Sequence, residues 1–411
     1  MRKIDPALLV FLGGIAAALH VGKLPPALPA LAQSLGVTLI QAGFLLSLVQ
    51  LAGMTLGLAA GLVADSLGLK RTMVAGLVLL STAGVLGGWA GNPSALMALR
   101  AAEGLGFLLA SMPAPSLIRR LVEPARMSAA LGLWGAYMPF GTALALLLGP
   151  LVIAGTGWPG WWWLLAGFSG AVAWWLCRVL PADVPHRPAA DGAAAGWRQR
   201  LRRTLTARGP WLVALSFAAY SSQWLAVIGF LPTMYAQAGV GPALAGAATA
   251  LAAAVNVTGN IASGRLLQRG VRPHVLLHLG FAAMGAAAFV AFAPVWGEPG
   301  PRAAAALRYA AVLVFSAVGG LIPGTLFSLA VRLAPGEGTV STTVGWMQQC
   351  SSLGQFCGPP LVALVAARAG GWQWSWVVTG GCAAAGVALS TLIGSAVSRP
   401  LAAPNRLGQR T

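Results

Sequence analysis

Gly61-Leu62-Val63-Ala64-Asp65-Ser66-Leu67-Gly68-Leu69-Lys70-Arg71 is a short basic turn, punctuated by glycine, set between two long apolar runs. Outward from it the same arrangement recurs: apolar stretches of similar length joined by short polar connections. Charged residues make up 8% of the chain and hydrophobic ones 57%, whereas an ordinary soluble domain is about 25% charged. No water-soluble surface can be built from that composition. A bilayer core of about 30 Å asks for about 20 apolar residues per helix. Such runs fall near 6–31, 39–62, 72–90, 94–118, 127–151, 160–179, 211–236, 243–265, 273–293, 303–331, 338–367 and 372–396. They predict an all-α membrane protein. The first run has no small-residue cleavage site followed by soluble sequence, so it is expected to be a retained helix and not a signal peptide.

The formal net charge is +18, which in a soluble protein would point to nucleic acid; here the placement of the basic residues decides. With the N-terminus inside, 21 of the 26 Lys and Arg fall on that side of the membrane. Lys23, Arg302, Arg308 and Arg368 fall on or towards the other, and Arg100 lies within a span. That bias puts both termini in the cytoplasm, in a bacterial-type inner membrane, and leaves the lipid bilayer, not nucleic acid, as the partner of the basic side. Cys177, Cys350, Cys357 and Cys382 sit within or beside apolar runs and read as small packing residues, with no metal site or disulfide framework.

The stretch from 181 to 210 differs in composition, with Pro181, Asp183, Pro185, Pro188 and then Arg198, Arg200, Arg202 and Arg203. It reads as a cytoplasmic basic linker between a first unit, 1–180, and a second, 211–411, its latter part an interfacial helix facing anionic lipid. The two units repeat. Leu28-Pro29 with Gly36-Val37 recurs as Leu231-Pro232 with Gly239-Val240, and Gly132-x8-Gly141 recurs as Gly345-x8-Gly354. Gly264 to Arg272 is a degraded copy of the opening turn. An even number of spans per unit keeps the copies in the same orientation, as two bundles flanking a central path.

The opening turn resembles the loop between helices 2 and 3 of the major facilitator superfamily, roughly G-x-L-A-D-R-x-G-R-R. Gly61, Ala64, Asp65, Gly68, Lys70 and Arg71 match, and Ser66 stands in place of arginine. Leu96-x3-Arg100-x2-Glu103-Gly104-x-Gly106 resembles the family's helix-4 pattern, with glutamate for glutamine. The helix-5 antiporter pattern is broken at Ala145-Leu146, and its fuller form, Gly345, Gly354, Gly358 and Pro359, lies in span eleven. The resemblance covers essentially the whole chain and extends in outline to the cyanate and nitroimidazole permeases. It implies twelve transmembrane helices in two six-helix bundles related by pseudo-two-fold symmetry, and secondary active transport by alternating access. It also implies a coupling role for Arg100. Gly61, Asp65, Gly68, Lys70 and Arg71 would then serve the conformational cycle, with Asp65 latching one state against Lys70, Arg71 or a helix end.

An ionisable side chain at the bilayer centre is costly and is kept when paired or useful. Of the acidic residues only Glu103 lies well inside a span, on one helical face with Arg100 three residues away. The pair is either a proton-coupling device or a structural intrahelical ion pair. His20 and Lys23 are also three apart, and helical rise puts His20 about 21 Å across from the cytoplasmic side. Arg100 lies at a similar depth, so His20, Lys23 and Arg100 could converge on one anionic ligand. The alternative is that Lys23 snorkels outward and His20 bonds a carbonyl. Tyr220, Gln223, Gln348 and Gln349 are candidate ligand contacts from the second unit, each of which could equally bond a neighbouring helix. Trp134 and Trp346 read as packing. Gly53, Gly57 and Gly61 form a small-residue face suited to close helix contact.

No G-x4-G-K-[ST] loop is present, which removes ATP as the energy source, and no protease or lipid-modifying motif lies in a span. The expectation is therefore a transporter without cofactor or metal, and no enzyme. It takes up a small anionic solute, coupled to protons through Glu103 with Arg100. Proton-antiport efflux and a non-transporting membrane sensor are the alternatives.

Overall fold

A computed structural model describes residues 6–123, 134, 137–183, 197–293, 302–336 and 339–398, with the side chains of 60–67 and a few single positions outside the description. Eleven helices among them are long and apolar enough to cross a membrane. They are α1 (Pro6–Leu35), α2 (Leu39–Ala59), α3 (Leu69–Gly87), α4 (Pro93–Ile118), a long stretch (Tyr137–Val179) and α7 (Arg208–Gln237). The remainder are α8 (Pro242–Gln268), α9 (Pro273–Phe292), α10 (Ala303–Arg332), α11 (Thr342–Ala369) and α12 (Trp372–Ala396).

The long stretch has 43 residues, about 65 Å of helix and twice a bilayer core. It is two spans, α5 and α6, reversed at Gly157, whose φ of 70° and ψ of 174° are not helical. A β-carbon on Gly149 would lie 3.6 Å from Trp161 Cε2, whereas twelve residues of straight helix would separate the two by about 18 Å. Twelve spans result, as the hydropathy pattern predicts.

Local chemistry sets the ends. Thr38 and Gln41 form a capping box at the start of α2, and the Asn92 side chain accepts from Ala95 N with Pro93 at the first helical position of α4. α1 and α11 end at Gly36 and Gly370, both left-handed.

α1 to α6 bury apolar cores around Leu24, Leu45, Trp161 and Trp162 and around Leu9, Met73, Leu77 and Leu176. α7 to α12 bury one around Phe281, Phe315, Leu326 and Met347. The repeat seen in sequence has a packing counterpart: Gly141 of α5 lies against Ile15 and Ala18 of α1, and Gly354 of α11 lies against Ala218 of α7. Gly132 lies outside the described residues.

The halves meet along α2 and α11. Gly43 faces Pro359, Pro360 and Ala363, Gly53 faces Ser352, and Gly57 faces Gln349. The small-residue face of α2 is thus its contact with the other half, where van der Waals approach must do what hydrophobic exclusion does in water. Gly246 of α8 against Leu146 and Pro150 of α5, and Gly229 of α7 against Leu46 of α2, add two further contacts. Between α6 and α7 a short helix, Trp197–Thr206, carries the linker arginines, buries Thr204 and is tied on by Trp211 Nε1 donating to Leu205 O at 2.8 Å.

Candidate functional site

Pro25 and Pro26 in α1 have no N–H to offer the carbonyls of Val21 and Gly22, so the helical ladder is interrupted beside Lys23. In α2 the residues Leu48–Gln50 tighten into a 3₁₀ turn. α4 docks on both. A β-carbon at Gly104 would stand 2.6 Å from Val49 O and 3.0 Å from Leu48 O, and one at Gly106 would stand 2.9 Å from Gly76 O of α3. The glycines after Glu103 therefore bring α4 to backbone contact with two helices and aim the face carrying Arg100 and Glu103 at α1.

There His20, Lys23, Arg100 and Glu103 meet, each at most 1% exposed. Arg100 Nη1 donates to Glu103 Oε2 at 2.6 Å, and Lys23 Nζ donates to Glu103 Oε1. Lys23 Nζ also donates to His20 Nδ1 at 3.2 Å and lies 4.5 Å from the Trp162 ring centroid. Arg100 binds backbone on both neighbours, Nη1 to His20 O at 2.7 Å and Nε to Leu45 O at 3.2 Å. His20 Nε2 is hydrogen-bonded to Ser169 Oγ at 2.9 Å, and Trp161 Nε1 donates to Lys23 O at 3.1 Å. Arg100 Nη2 and Trp162 Nε1 are buried donors without a hydrogen-bond partner among the described residues.

The three basic side chains do converge on one anionic group, and that group is Glu103. Two fixed cations share one carboxylate, an excess of one positive charge in a buried site. Lys23 turns inward and does not snorkel.

The second-half candidates are dispersed. Tyr220 shares hydrogen bonds with Asn256 (2.9 and 3.3 Å), which in turn donates to Ser316 O at 2.8 Å. Gln223 donates to Ala219 O of its own helix at 3.2 Å, and its buried Oε1 has no partner among the described residues. Gln348 is exposed. Gln349 Nε2 donates to Met54 O of α2 at 2.8 Å, while its Oε1 accepts from Leu58 N at 3.1 Å. Trp134 stacks on Tyr137 with centroids 4.2 Å apart, and Trp346 meets Trp211 edge-on at 4.8 Å.

At the turn that opens α3, Gly68 has φ of 98°, a conformation that suits glycine. Gly61 and the Asp65 side chain lie outside the described residues. Asp183, just past α6, supplies a carboxylate to the α3 N-terminus: Oδ1 accepts from Lys70 N at 2.9 Å and Oδ2 from Arg71 N at 3.0 Å. Lys70 Nζ adds a bond to Leu180 O. A carboxylate on free N–H groups at a helix start is charge-assisted and dipole-matched. Sequence alone places Asp183 in a loop, and Ser169 and Trp162 are unmarked among apolar neighbours.

A family model described as Major Facilitator Superfamily matches residues 10–349. The 2-nitroimidazole transporter of Escherichia coli (strain K12) is 27% identical over 356 residues, 85% of this chain and 84% of that protein. The puromycin resistance protein pur8 of Streptomyces alboniger is 34% identical over 160 residues, 38% of this chain and 31% of that protein. The probable 4-methylmuconolactone transporter of Cupriavidus pinatubonensis is 27% identical over 155 residues, 38% of this chain and 34% of that protein. The chain spans about a third of the length of these last two relatives. A solved bacterial homologue of the human lysosomal transporter Spinster, inward-facing and unoccupied, aligns with a TM-score of 0.78 at 15% identity. That alignment covers 96% of this chain and 98% of the other, and shows a shared fold.

Proposed function

The chain belongs to the major facilitator superfamily and is a multi-pass membrane transporter, not an enzyme, and from that premise we propose that it takes up a small anion by alternating access, one proton entering with each anion. The observation that carries the proposal is the buried cluster in which Lys23 and Arg100 share Glu103. Its excess positive charge and the unpartnered Arg100 Nη2 call for one more acceptor, which a small carboxylate or similar anion supplies. Glu103 and the solute compete for the same two cations. An anion that displaces Glu103 leaves that carboxylate to take up a proton, so the site keeps its single excess positive charge and the two travel together.

His20, held between Ser169 and Lys23, lies against the same carboxylate, 3.5 Å from Glu103 Oε1, and the contribution of α7 is Gln223, whose unpartnered Oε1 suits a donor group on the solute and not its anionic end. Tyr220, bonded to Asn256, and the exposed Gln348 are left out of this site. Units 1–180 and 211–411 rock about the site, joined by the 181–210 linker, in an inner membrane with both termini cytoplasmic. Gly61, Asp65, Gly68, Lys70 and Arg71 form the turn that is remade during the cycle, with Asp183 gripping its α3 side. A second reading, proton-antiport efflux, is favoured by the local similarity to a puromycin resistance protein.

The test is a stabilisation screen of purified protein against small carboxylates, inorganic anions and matched organic cations, followed by proteoliposome uptake of the best binder. An inward proton gradient should drive accumulation, and a protonophore should abolish it. Arg100→Ala should weaken binding more than tenfold, since a truncated buried charge pair costs about 2–5 kcal/mol. Stabilisation by cations alone would end the anion reading, and proton-driven accumulation in inverted vesicles would favour efflux.

A further inference from the structure

α2 and α11 meet across the two halves through side chains of two kinds. Gln50 Nε2 donates to Gln355 Oε1 at 3.1 Å and Ser352 Oγ to Gln50 Oε1 at 3.3 Å, both side chain to side chain. Gln349 is different. Its carboxamide brackets Met54 O and Leu58 N, donating to the first and accepting from the second. Those groups are four residues apart on α2, the pair that an uninterrupted α-helix bonds to each other. The approach depends on Gly57, since a β-carbon there would stand 3.2 Å from Gln349 Cβ.

We infer that the Gln349 carboxamide and the α2 backbone exchange one hydrogen-bonding pair, which makes Gln349 a positioning residue for the opening and closing of the two halves and not a solute ligand. The inference rests on the transporter assignment but not on the anion. A backbone donor or acceptor left unpaired away from water is expensive, and a seam built on such groups would resist separation. Here α2 is helical through Met54 and Leu58, so its own ladder holds that pair when Gln349 withdraws, and parting the halves strands no backbone group of α2. The carboxamide alone then needs a new partner, which water in the opened cleft provides. Leu58 is 19 residues beyond Leu39, about 28 Å along α2, and Gln349 is seven residues into α11. The exchange therefore sits towards the end of the molecule that carries the linker, and it biases closure of that side.

The experiment uses the full chain in lipid nanodiscs, with its four cysteines replaced and spin labels placed at the exposed positions Arg120, two residues past α4, and Gly264 of α8. A control pair sits at the other end, on Gly155 and Gly241, both exposed. Gln349→Leu keeps bulk and removes the carboxamide; Gln349→Glu keeps the acceptor for Leu58 N and removes the donor to Met54 O. The long-distance population between Arg120 and Gly264 should rise about fivefold to tenfold in Gln349→Leu, the worth of a net hydrogen bond or two, and by less in Gln349→Glu. Hydrogen exchange in peptides covering 54–60 should stay within about threefold of wild type in both, because α2 keeps its own ladder. Unchanged distances in both variants would overturn the inference, and so would Leu58 exchange accelerated tenfold or more. If Gln349→Leu does not fold, Gln349→Glu alone decides by the same two measurements. Neither readout uses a transported solute, so failure of the anion assignment would leave this result standing.

Discussion

Glu103→Gln reverses the usual expectation for a residue in a binding site. Among the described residues Glu103 is the one buried acid, and it holds both Lys23 and Arg100. Glutamine keeps the volume and one acceptor but removes the countercharge, leaving two cations in a buried site. Stranding one partner of a buried pair costs about 3–5 kcal/mol; the retained acceptor puts the loss here near 3 kcal/mol. An anion entering the variant site recovers much of that energy, and every 1.4 kcal/mol recovered is about tenfold in affinity. The variant should therefore be less stable alone, yet bind the solute anion at least tenfold more tightly than wild type. Because no carboxylate remains to trade for the solute, binding should no longer depend on pH between about 5.5 and 7.5. Proton-driven accumulation should vanish while anion exchange across the bilayer persists. The assays are calorimetric titration at the two pH values and counterflow in proteoliposomes. Weaker anion binding in Glu103→Gln, or an unchanged pH dependence, would refute the competition of Glu103 and solute for one pair of cations and leave the carboxylate as a structural counterion.

Asp183→Ala removes the carboxylate from the α3 N-terminus and should destabilise the protein by about 1–2 kcal/mol, with Asp183→Asn losing less; equal unfolding of Ala variant and wild type in detergent would dismiss the cap. Gly104→Val should cost about 1–3 kcal/mol or more through overpacking against the α2 backbone and lower the folded yield, whereas Gly91→Val, with open space around it, should be silent; similar yields would dismiss the close α4–α2 contact. Tyr220→Phe removes one hydroxyl from the Asn256 network and should lower stability by about 1 kcal/mol with solute affinity unchanged; a fall in affinity would return Tyr220 to the ligand shell.

The spans were legible because a bilayer imposes one length on every helix; their ends were less so, being set by the capping chemistry of Thr38, Asn92 and the glycines at 36 and 370, and the apolar runs at 6–31 and 338–367 stop short of the two glycines. The spacing between spans five and six suggested a short loop; the structure instead carries helix almost to Gly157, since one left-handed residue suffices to reverse the chain. Helical rise brought His20, Lys23 and Arg100 to one depth, but depth says nothing of azimuth. It could not decide whether the cations face a ligand or close on the acid three residues from Arg100. Asp183 was hidden for another reason: its partners, Lys70 N and Arg71 N, are backbone groups more than a hundred residues away. Gln349 does carry a signal in the sequence: Gly345, Gln349 and Ser352 share one face of α11, a match for the glycine face of α2.

The reversal at Gly157 also bears on how the protein is made. Two spans joined through a single non-helical residue offer the insertion machinery no hydrophilic segment to translocate between them. Neither can be threaded first and left to wait for the other. α5 and α6 must enter the bilayer together as a helical hairpin, with Trp158, Trp161 and Trp162 at its bend already docking on α1. The half that holds the ion cluster is then assembled around a preformed pair.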